Sequence, residues 1–306
     1  MLVNRIRSAL AVASVASLSL LAACSDSSNG NGEQGAGGNT APAAASGTLA
    51  KAVEAGRIRV GYANEAPFAY MDSSTGRLTG EAPEILRHVM QELGVKEVEG
   101  VLTEFGSLIP GLQANRFDII AAGMYITPER CRQVAFSNPT YGIGSAFVVQ
   151  AGNPKSLHSF DDVAKAEAAS LGVVVGAIEA DYAAKSGVPA DRIVVFPDAA
   201  SALAGVQAGR VDAYAATSLT VNDLLAKGTA GVERAEPFTD PVIDGKDVRG
   251  YGAFAFRSDD TELLEAFNKE LAEYVGTDAH AKAVEPFGFT KAELPGDTTA
   301  DMLCKG

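Results

Sequence analysis

From residue 57 onward, short apolar runs alternate with segments whose apolar residues recur every three or four positions. The short runs indicate buried strands and the spaced pattern indicates amphipathic helices. Their alternation predicts parallel strands joined by crossover helices, and therefore an α/β fold. In the first half, strands are predicted over 57–63, 97–103 and 117–122 and helices over 83–93 and 108–114. In the second half, strands are predicted over 173–175, 193–196 and 211–215 and helices over 178–185, 199–208 and 221–226.

The segment at residues 106–122 is repeated at residues 200–216. Within the windows 111–122 and 205–216, seven positions are identical. A helix-then-strand unit that occurs twice predicts two similar lobes, and a cleft between lobes is a common place for a small ligand. The alternative is one larger α/β domain that contains a duplicated unit.

Two further strand-like stretches are predicted to connect the lobes. They cover residues 145–150 and 252–257, and a helix over 261–274 follows the second one. The first lobe would then consist of residues 48–148 and 251–306, with the second lobe inserted at residues 149–250. Two strands that cross between lobes form a hinge, which permits closure around a ligand.

The N-terminus has the features of an export signal. Arg5 and Arg7 precede an apolar run that is too short to span a membrane comfortably. The run ends in Leu-Ala-Ala-Cys24, which resembles the lipobox of bacterial lipoproteins. Residues 1–23 are therefore predicted to be a lipoprotein signal peptide, and an acylated Cys24 would anchor the protein on the outer face of the cytoplasmic membrane. The alternative is an ordinary secretory leader followed by an incidental cysteine.

The composition bears on the segment after the signal peptide and on the class of ligand. Residues 24–47 combine Cys24 with a stretch dominated by glycine, serine, asparagine and alanine, which predicts a flexible tether. The formal net charge is −13, which disfavours binding to nucleic acid. It does not exclude an anionic or zwitterionic ligand, because one buried arginine can reverse the local field.

Apart from Cys24, the cysteines are Cys131 and Cys304. An exported protein meets oxidising conditions, so these two can form a disulfide that attaches the C-terminal tail to the first lobe. The alternative is two unrelated free thiols. The histidines are widely separated and show no metal-ligand spacing, so neither a metal nor a cofactor is expected.

The segment from Thr127 to Arg130 carries the main chemical signal. Thr127 suits a helix N-cap, Pro128 the first helical position and Glu129 the positive helix end. Arg130 is unexpected there, because the start of a helix favours acids over bases. A guanidinium in this position can bind a carboxylate through two parallel hydrogen bonds. The alternative is an arginine at the surface or in an ion pair.

Three motifs occur in order: Asp118, then Thr-Pro-Glu-Arg at 127–130, then Phe-Ser-Asn-Pro-Thr-Tyr at 136–141. Together they resemble the polar amino-acid-type solute-binding proteins of ABC importers, over about residues 57–290. The resemblance implies a two-lobed, type II periplasmic-binding-protein-like fold with two hinge strands and a ligand cleft. It also implies that Arg130 binds the ligand carboxylate with Thr127 beside it, and that a monomer delivers the ligand to a membrane permease.

Two departures from that family bear on the ligand. Members that bind α-amino acids usually have Gly-Ser or Gly-Thr where the first helix of the second lobe begins, whereas this chain has Gly176 and Ala177. Only backbone N–H groups remain there for a ligand. Those members also carry an aspartate for the α-ammonium where this chain has Thr217. A primary ammonium would lose its charged partner at this position.

A positive charge on the ligand therefore needs other partners. Glu65 and Phe68 follow the first strand, Phe105 follows the next one, and Tyr125 precedes Thr127. These residues lie beyond strand C-termini, where open α/β sheets bind ligands. Aromatic rings stabilise a delocalised cation by about 0.5–2 kcal/mol each. The alternative is that these rings belong to the core.

The sequence around Glu65, Phe68, Phe105, Tyr125 and Arg130 is similar to that of the ectoine- and hydroxyectoine-binding branch of the family. Ectoine carries one carboxylate and a cyclic amidinium. By resemblance, Arg130 would bind the carboxylate, Glu65 the ring N–H groups, and the three aromatic rings the faces of the ligand. Thr217 and the amides of Gly176 and Ala177 would close the site from the second lobe.

Competing functions remain open from the residues alone. Within the same class, the ligand could be a polar or cationic amino acid or a betaine. A few members of this fold family act as dehydratases, and Glu65 is the acid that could then serve as a general base. The chain contains no serine nucleophile elbow, metal set or phosphate loop, so a binding protein without catalysis is expected.

Overall fold

The structure, a computed structural model, describes residues 47–243 and 245–305. The predicted signal peptide and Cys24 lie outside the described residues, as does the predicted tether up to residue 46. The described residues belong to one compact unit. Among them, no helix combines the length and the apolar character needed to cross a bilayer.

The chain first builds most of one sheet and its helices. These elements are α1 (Thr48–Ala55), β1 (Arg57–Tyr62), β2 (Tyr70–Met71), β3 (Leu78–Thr79), α2 (Glu81–Glu92), β4 (Glu97–Leu102), α3 (Leu108–Gln113), β5 (Ile119–Tyr125), α4 (Pro128–Cys131), β6 (Ala135–Phe136) and β7 (Tyr141–Ile143). The helices and strands predicted for this half are confirmed, with boundaries shifted by three residues or fewer.

The chain then builds a second sheet and returns to the first. The elements are β8 (Ser145–Gln150), α5 (Phe160–Lys165), β9 (Leu171–Val174), α6 (Glu179–Lys185), β10 (Ile193–Phe196), α7 (Ala199–Gln207), β11 (Ala213–Thr217), α8 (Ser218–Ala226), β12 (Val232–Arg234), β13 (Val242–Ile243), β14 (Lys246–Asp247), β15 (Gly250–Phe256), α9 (Thr261–Tyr274), α10 (Asp278–Val284) and α11 (Ala300–Lys305).

Each of the two large sheets combines three parallel strands with antiparallel ones, in the same arrangement. In the first, the order is β4-β1-β5-β15-β6, with β7 paired to β15. Strands β4, β1 and β5 are parallel, and β15 runs antiparallel to β5. In the second, the order is β10-β9-β11-β8-β12, with β10, β9 and β11 parallel and β8 antiparallel to β11. The predicted two-lobed α/β architecture is confirmed.

The sequence repeat corresponds to matching positions in the two lobes. One copy forms α3 and β5, and the other forms α7 and β11. Each strand lies third in its sheet, between a parallel strand and the antiparallel strand that enters from the other part of the chain. The repeated residues are therefore those that place a central strand and its helix in each lobe.

Strand β5 shows why its sequence is an unbroken apolar run. Ile119 and Ala121 belong to one buried cluster, while Ile120, Ala122 and Met124 belong to another. Successive side chains of a strand point to opposite faces of the sheet, so both faces of β5 are covered. The same alternation divides β11 between two buried clusters of the second lobe.

The lobes are joined by the chain itself and by direct contacts. The chain passes from the first sheet to the second at Gly144, and β8, which was predicted to connect the lobes, pairs with β11 and β12 in the second sheet. Phe105 packs against a buried cluster of each lobe. The turn at Gly176 meets Gly106 so closely that a Cβ on Gly176 would lie 2.6 Å from the Gly106 Cα.

We expect Gly176→Ala to weaken ligand binding at least about tenfold, because the added methyl group would hold the lobes apart. Gly176 also has a φ of +75°, which costs a non-glycine residue roughly 1–2 kcal/mol. Gly187→Ala is the matched control, since Gly187 has a φ of +86° in the same lobe and a Cβ there would meet nothing within 4 Å. Calorimetric titration together with small-angle scattering measures affinity and closure. Equal affinity in the two variants would contradict this role.

In the structure, Cys131 and Cys304 form a disulfide between α4 and α11, with their Cα atoms 5.6 Å apart. We expect mass spectrometry of a fragment starting at residue 47 to show no alkylation without reduction and two additions after it. Replacing both cysteines by serine should lower the free energy of unfolding by about 2–5 kcal/mol in denaturant titrations. Two alkylations without reduction would contradict the pairing.

Candidate ligand-binding site

A cavity lies between the two sheets, and its empty space is about 450 Å³ when the open solvent at its mouth is included. It is lined from both lobes by residues that follow or end the central strands. They are Glu65, Phe68, Phe105, Ala122, Gly123, Tyr125, Arg130, Val174, Ala177, Ile178, Glu179, Tyr214, Ala215, Ala216 and Thr217. Ligands bind outside the carboxyl ends of strands in open α/β sheets, and this cavity has that position in both lobes.

Arg130 is the cationic side chain among the described residues that line this cavity. It is carried by α4, whose N-cap Thr127 accepts a hydrogen bond from the Arg130 backbone N–H at 3.2 Å. The guanidinium donates from Nη1 to the Tyr125 carbonyl at 2.7 Å and from Nη2 to the Gly176 carbonyl at 2.9 Å. These bonds use two of its five N–H donors and connect the two lobes.

Burial lowers the pKa of the Arg130 guanidinium, and the nearby Glu179 carboxyl opposes that effect. Arginine nonetheless stays cationic at neutral pH, because its ordinary pKa is above 12. The guanidinium carbon lies 5.6 Å from the centre of the Phe105 ring. Phe105, predicted to face the positive end of a ligand, therefore also covers the protein's own cation.

Phe68 and Tyr125 belong to the core and to the cavity at once. Both are buried in the main hydrophobic cluster of the first lobe, and Phe68 packs 5.4 Å from Tyr141 between ring centres. Gly123 makes this possible, because a Cβ at that position would lie 2.6 Å from the Phe68 ring. The Tyr125 hydroxyl is buried without a hydrogen-bond partner among the described residues, so it can bond a polar ligand atom.

Glu65 lies just after β1 and is held by a bridge to Ala69. Its Oε1 accepts a hydrogen bond from the hydroxyl of Thr220, at 2.8 Å, across the cleft. Burial raises the pKa of the Glu65 carboxyl, and the bond from Thr220 opposes the rise. The predicted acid of the site is thus present, with a partner that the sequence did not indicate.

Glu179 is a second acid of the cavity, which the sequence analysis missed. It is the first residue of α6 and is 5% exposed. Burial raises the pKa of its carboxyl to about 7; the Glu65 charge adds to the rise and Arg130 opposes it. An acid at the start of a helix is explained by the helix dipole alone, so its position gave no separate signal.

The remaining predicted residues fall into two groups. Ala177 and Thr217 line the cavity, whereas Thr127 and Gly176 line an adjoining groove. The Ala177 N–H donates to the Val174 carbonyl at 3.1 Å, so it is occupied within its own turn. Thr217 caps α8, accepting from the Thr220 N–H at 3.1 Å. The hydroxyls of Thr127 and Thr217 both accept hydrogen bonds from backbone N–H groups, and their contact with a ligand stays a prediction.

The cavity combines one guanidinium, two carboxyl groups and several aromatic rings. Such a set can bind a small molecule that carries both a carboxylate and a delocalised positive charge. Within the described residues, no three histidine, cysteine, aspartate or glutamate side chains are grouped to hold a metal ion.

The fold and the cavity agree with comparisons to known proteins. Residues 58–290 match the bacterial extracellular solute-binding proteins, family 3. A probable amino-acid ABC transporter periplasmic-binding protein of Sinorhizobium fredii is 40% identical over 260 residues, which cover 83% of this chain and 85% of that protein. An L-arginine-binding protein of Pseudomonas aeruginosa is 31% identical over 70% of this chain and 81% of its own length.

Two solved structures extend the comparison. The crystal structure of EhuB in complex with hydroxyectoine is 38% identical, has a TM-score of 0.76, and covers 84% of this chain and 97% of that one. The ancestral amino-acid-binding protein AncCDT-1, a precursor of cyclohexadienyl dehydratase, is 32% identical with a TM-score of 0.67, covering 78% of this chain and 99% of that one. This chain belongs to family 3 of the bacterial extracellular solute-binding proteins and is the solute-binding component of an amino-acid-type ABC importer.

Proposed function

We propose that this protein binds the compatible solutes ectoine and hydroxyectoine in the cleft between its lobes and delivers them to its permease. It does so without chemical conversion of the ligand. One arrangement supports this above all: Arg130, Glu65 and the rings of Phe68, Phe105 and Tyr125 line a single cavity.

Each end of the ligand has a matching partner in the proposal. The carboxylate binds the N–H groups of Arg130 that do not bond Tyr125 or Gly176. The cyclic amidinium donates to Glu65 and lies against the aromatic rings, where exclusion of water strengthens its attraction to them. Ala177 and Thr217 complete the wall from the second lobe.

Two observations favour a cyclic zwitterion over an ordinary amino acid. A solved relative at 38% identity holds hydroxyectoine. In addition, Thr217 stands where α-amino-acid-binding relatives carry the aspartate that pairs with the ammonium, and here its hydroxyl caps a helix. A primary ammonium at this position would be buried without its countercharge, which costs several kcal/mol, roughly 2–5.

The proposal includes the setting of the protein. Cleavage before Cys24 and acylation of that cysteine would hold a monomer on the outer face of the cytoplasmic membrane. The stretch up to residue 47 would give the binding unit an r.m.s. reach of roughly 25 Å from the anchor. From there, the binding unit can reach a permease in the same membrane.

A cationic amino acid is a second candidate, and Glu179 favours it. With Glu65 and Glu179 both ionised, the cavity would hold two negative charges against one guanidinium. A ligand such as arginine, with a net positive charge, would balance that set. Relatives that bind L-arginine are 31% identical to this chain.

We expect calorimetry with ectoine, hydroxyectoine, glycine betaine, arginine and glutamine to give the tightest binding for the two cyclic solutes. Arg130→Ala should abolish binding, because the ligand carboxylate would be buried without its cation. Arg116→Ala is the control, since Arg116 is exposed in the same lobe. Wild-type affinity in Arg130→Ala, or heat with α-amino acids only, would contradict the proposal.

The pH dependence separates the two candidates. Glu179, with a pKa of about 7, ionises as the pH rises from 6 to 8. A zwitterion whose carboxylate occupies Arg130 competes with that new charge, so its affinity should fall. A cationic ligand gains from the charge, so its affinity should rise. Glu179→Gln should flatten either dependence in titrations at pH 6, 7 and 8, and an unchanged profile would exclude Glu179 from the ligand's surroundings.

A further inference from the structure

A chain of hydroxyl groups leads from the second lobe to Glu65. The Thr217 hydroxyl donates to the Thr220 hydroxyl at 2.9 Å, and the Thr220 hydroxyl donates to Glu65 Oε1 at 2.8 Å. Both threonines lie at the start of α8, whereas Glu65 belongs to the first lobe. Each hydroxyl that accepts a hydrogen bond becomes a stronger donor, so the chain strengthens its final bond to the carboxylate.

The position of Thr220 indicates what its hydrogen bond to Glu65 does. The residue is completely buried, and it does not line the cavity. Its hydroxyl therefore acts on the acid that lines the cavity and has no place against the ligand itself. The contact also crosses the cleft, from the second lobe to the first, so separation of the lobes at this point would break it.

We propose that Thr220 is a positioning residue that aims the Glu65 carboxylate at the positive end of the ligand and does so only in the closed protein. The inference rests on the proposed function to the extent that Glu65 binds a cationic group. Opening of the lobes removes the donor from Glu65, and the ligand then loses the orientation of its partner. Ligand capture and lobe closure are thereby coupled through one hydroxyl group.

The two threonine hydroxyls take the place of the aspartate that α-amino-acid-binding relatives carry at position 217. The second lobe supplies no negative charge at that strand end, and instead it supplies two neutral hydroxyl groups that stabilise a charge on the first lobe. A hydrogen bond to an ionised group favours the ionised form, which opposes the effect of burial on Glu65.

Other titratable groups act on Glu65 and bear on any pH profile. Those that line the cavity with it, or whose own pKa it raises, are Arg130, Glu179, Tyr125, Tyr141 and Tyr214. A change at Thr220 leaves all of these side chains in place and reaches the pKa values of the acids and tyrosines through the charge on Glu65, so a shift that follows such a change traces back to the lost hydroxyl group.

The test compares wild type, Thr220→Val and Thr220→Ser by calorimetry from pH 5 to pH 9, with hydroxyectoine and with arginine as probes. Valine keeps the volume and removes the donor, and serine restores the donor. We expect Thr220→Val to bind at least about tenfold more weakly at pH 7, since a lost hydrogen bond to a charged group leaves that group unpaired. Without the hydroxyl group, Glu65 should ionise at a higher pH, so the pH at which affinity reaches half its maximum should rise. Thr220→Ser should restore both the affinity and this midpoint pH.

Thr229→Val is the matched control. Thr229 follows α8, and its hydroxyl donates to the Leu224 carbonyl at 2.7 Å, outside the cavity. It removes a comparable hydrogen bond and should change neither the affinity nor the pH midpoint. Thr220→Ala provides a second way to remove the hydroxyl if the valine variant does not fold, as judged by its thermal melt.

Three results would overturn the inference. They are wild-type affinity in Thr220→Val, an equal loss at every pH with an unmoved midpoint, and failure of serine to restore binding. The proposed ligand is tested separately: if wild type binds arginine and not hydroxyectoine, the ligand is wrong, and the Thr220 comparison is decided with arginine. In a Glu65→Gln background, the same threonine change should cost less than about threefold, because the charge it serves is gone.

Discussion

A partly buried guanidinium between two lobes is the constraint on which the site depends. Arg130 loses water on burial, and such a loss is tolerated only where acceptors replace the water. Carbonyl groups of Tyr125 and Gly176 supply two acceptors, one from each lobe, and the Phe105 ring covers the cation. Its remaining N–H donors are the groups that the proposed function assigns to the ligand carboxylate, so in that proposal one cation both bonds the second lobe and binds the ligand.

The two acids of the cavity follow from the same electrostatics. Burial raises the pKa of both Glu65 and Glu179, and the charge on Glu65 adds to the rise at Glu179. Arg130 offsets one negative charge, while the Thr220 hydroxyl supports Glu65. The cavity can therefore adjust its charge by one proton. A fixed pair of opposite charges would lack that freedom, and the net charge of the ligand decides which state is favoured.

The sequence predicted the architecture well because the apolar pattern reflects burial directly. The run in β5 is apolar on both faces since both faces are covered, and the repeat marks the same central position in each lobe. Five predicted first-lobe residues line the cavity, because their motifs lie next to strand ends, and their contact with a ligand stays a prediction. Glu179 and Thr220 were missed, because each looks like ordinary helix-start chemistry until the lobes are brought together.

Phe105 has one contact that the sequence predicted and one that it did not. Its place beyond β4 predicted a ring against the ligand, and the ring does line the cavity. Its second contact, with Arg130, joins residues 25 positions apart, and no local pattern encodes it. Contacts between segments far apart in the chain needed the folded structure.

The disulfide next to Arg130 determines which half of the molecule the C-terminus follows. Cys131 belongs to the short helix that presents Arg130, and its bond to Cys304 holds α11 against that helix. The last residues of the chain are thus mounted on the first lobe and travel with it. A fluorescent reporter fused there would move together with Arg130. If a second dye were placed on α7 of the second lobe, closure of the lobes around a solute would change the energy transfer between the two fluorophores.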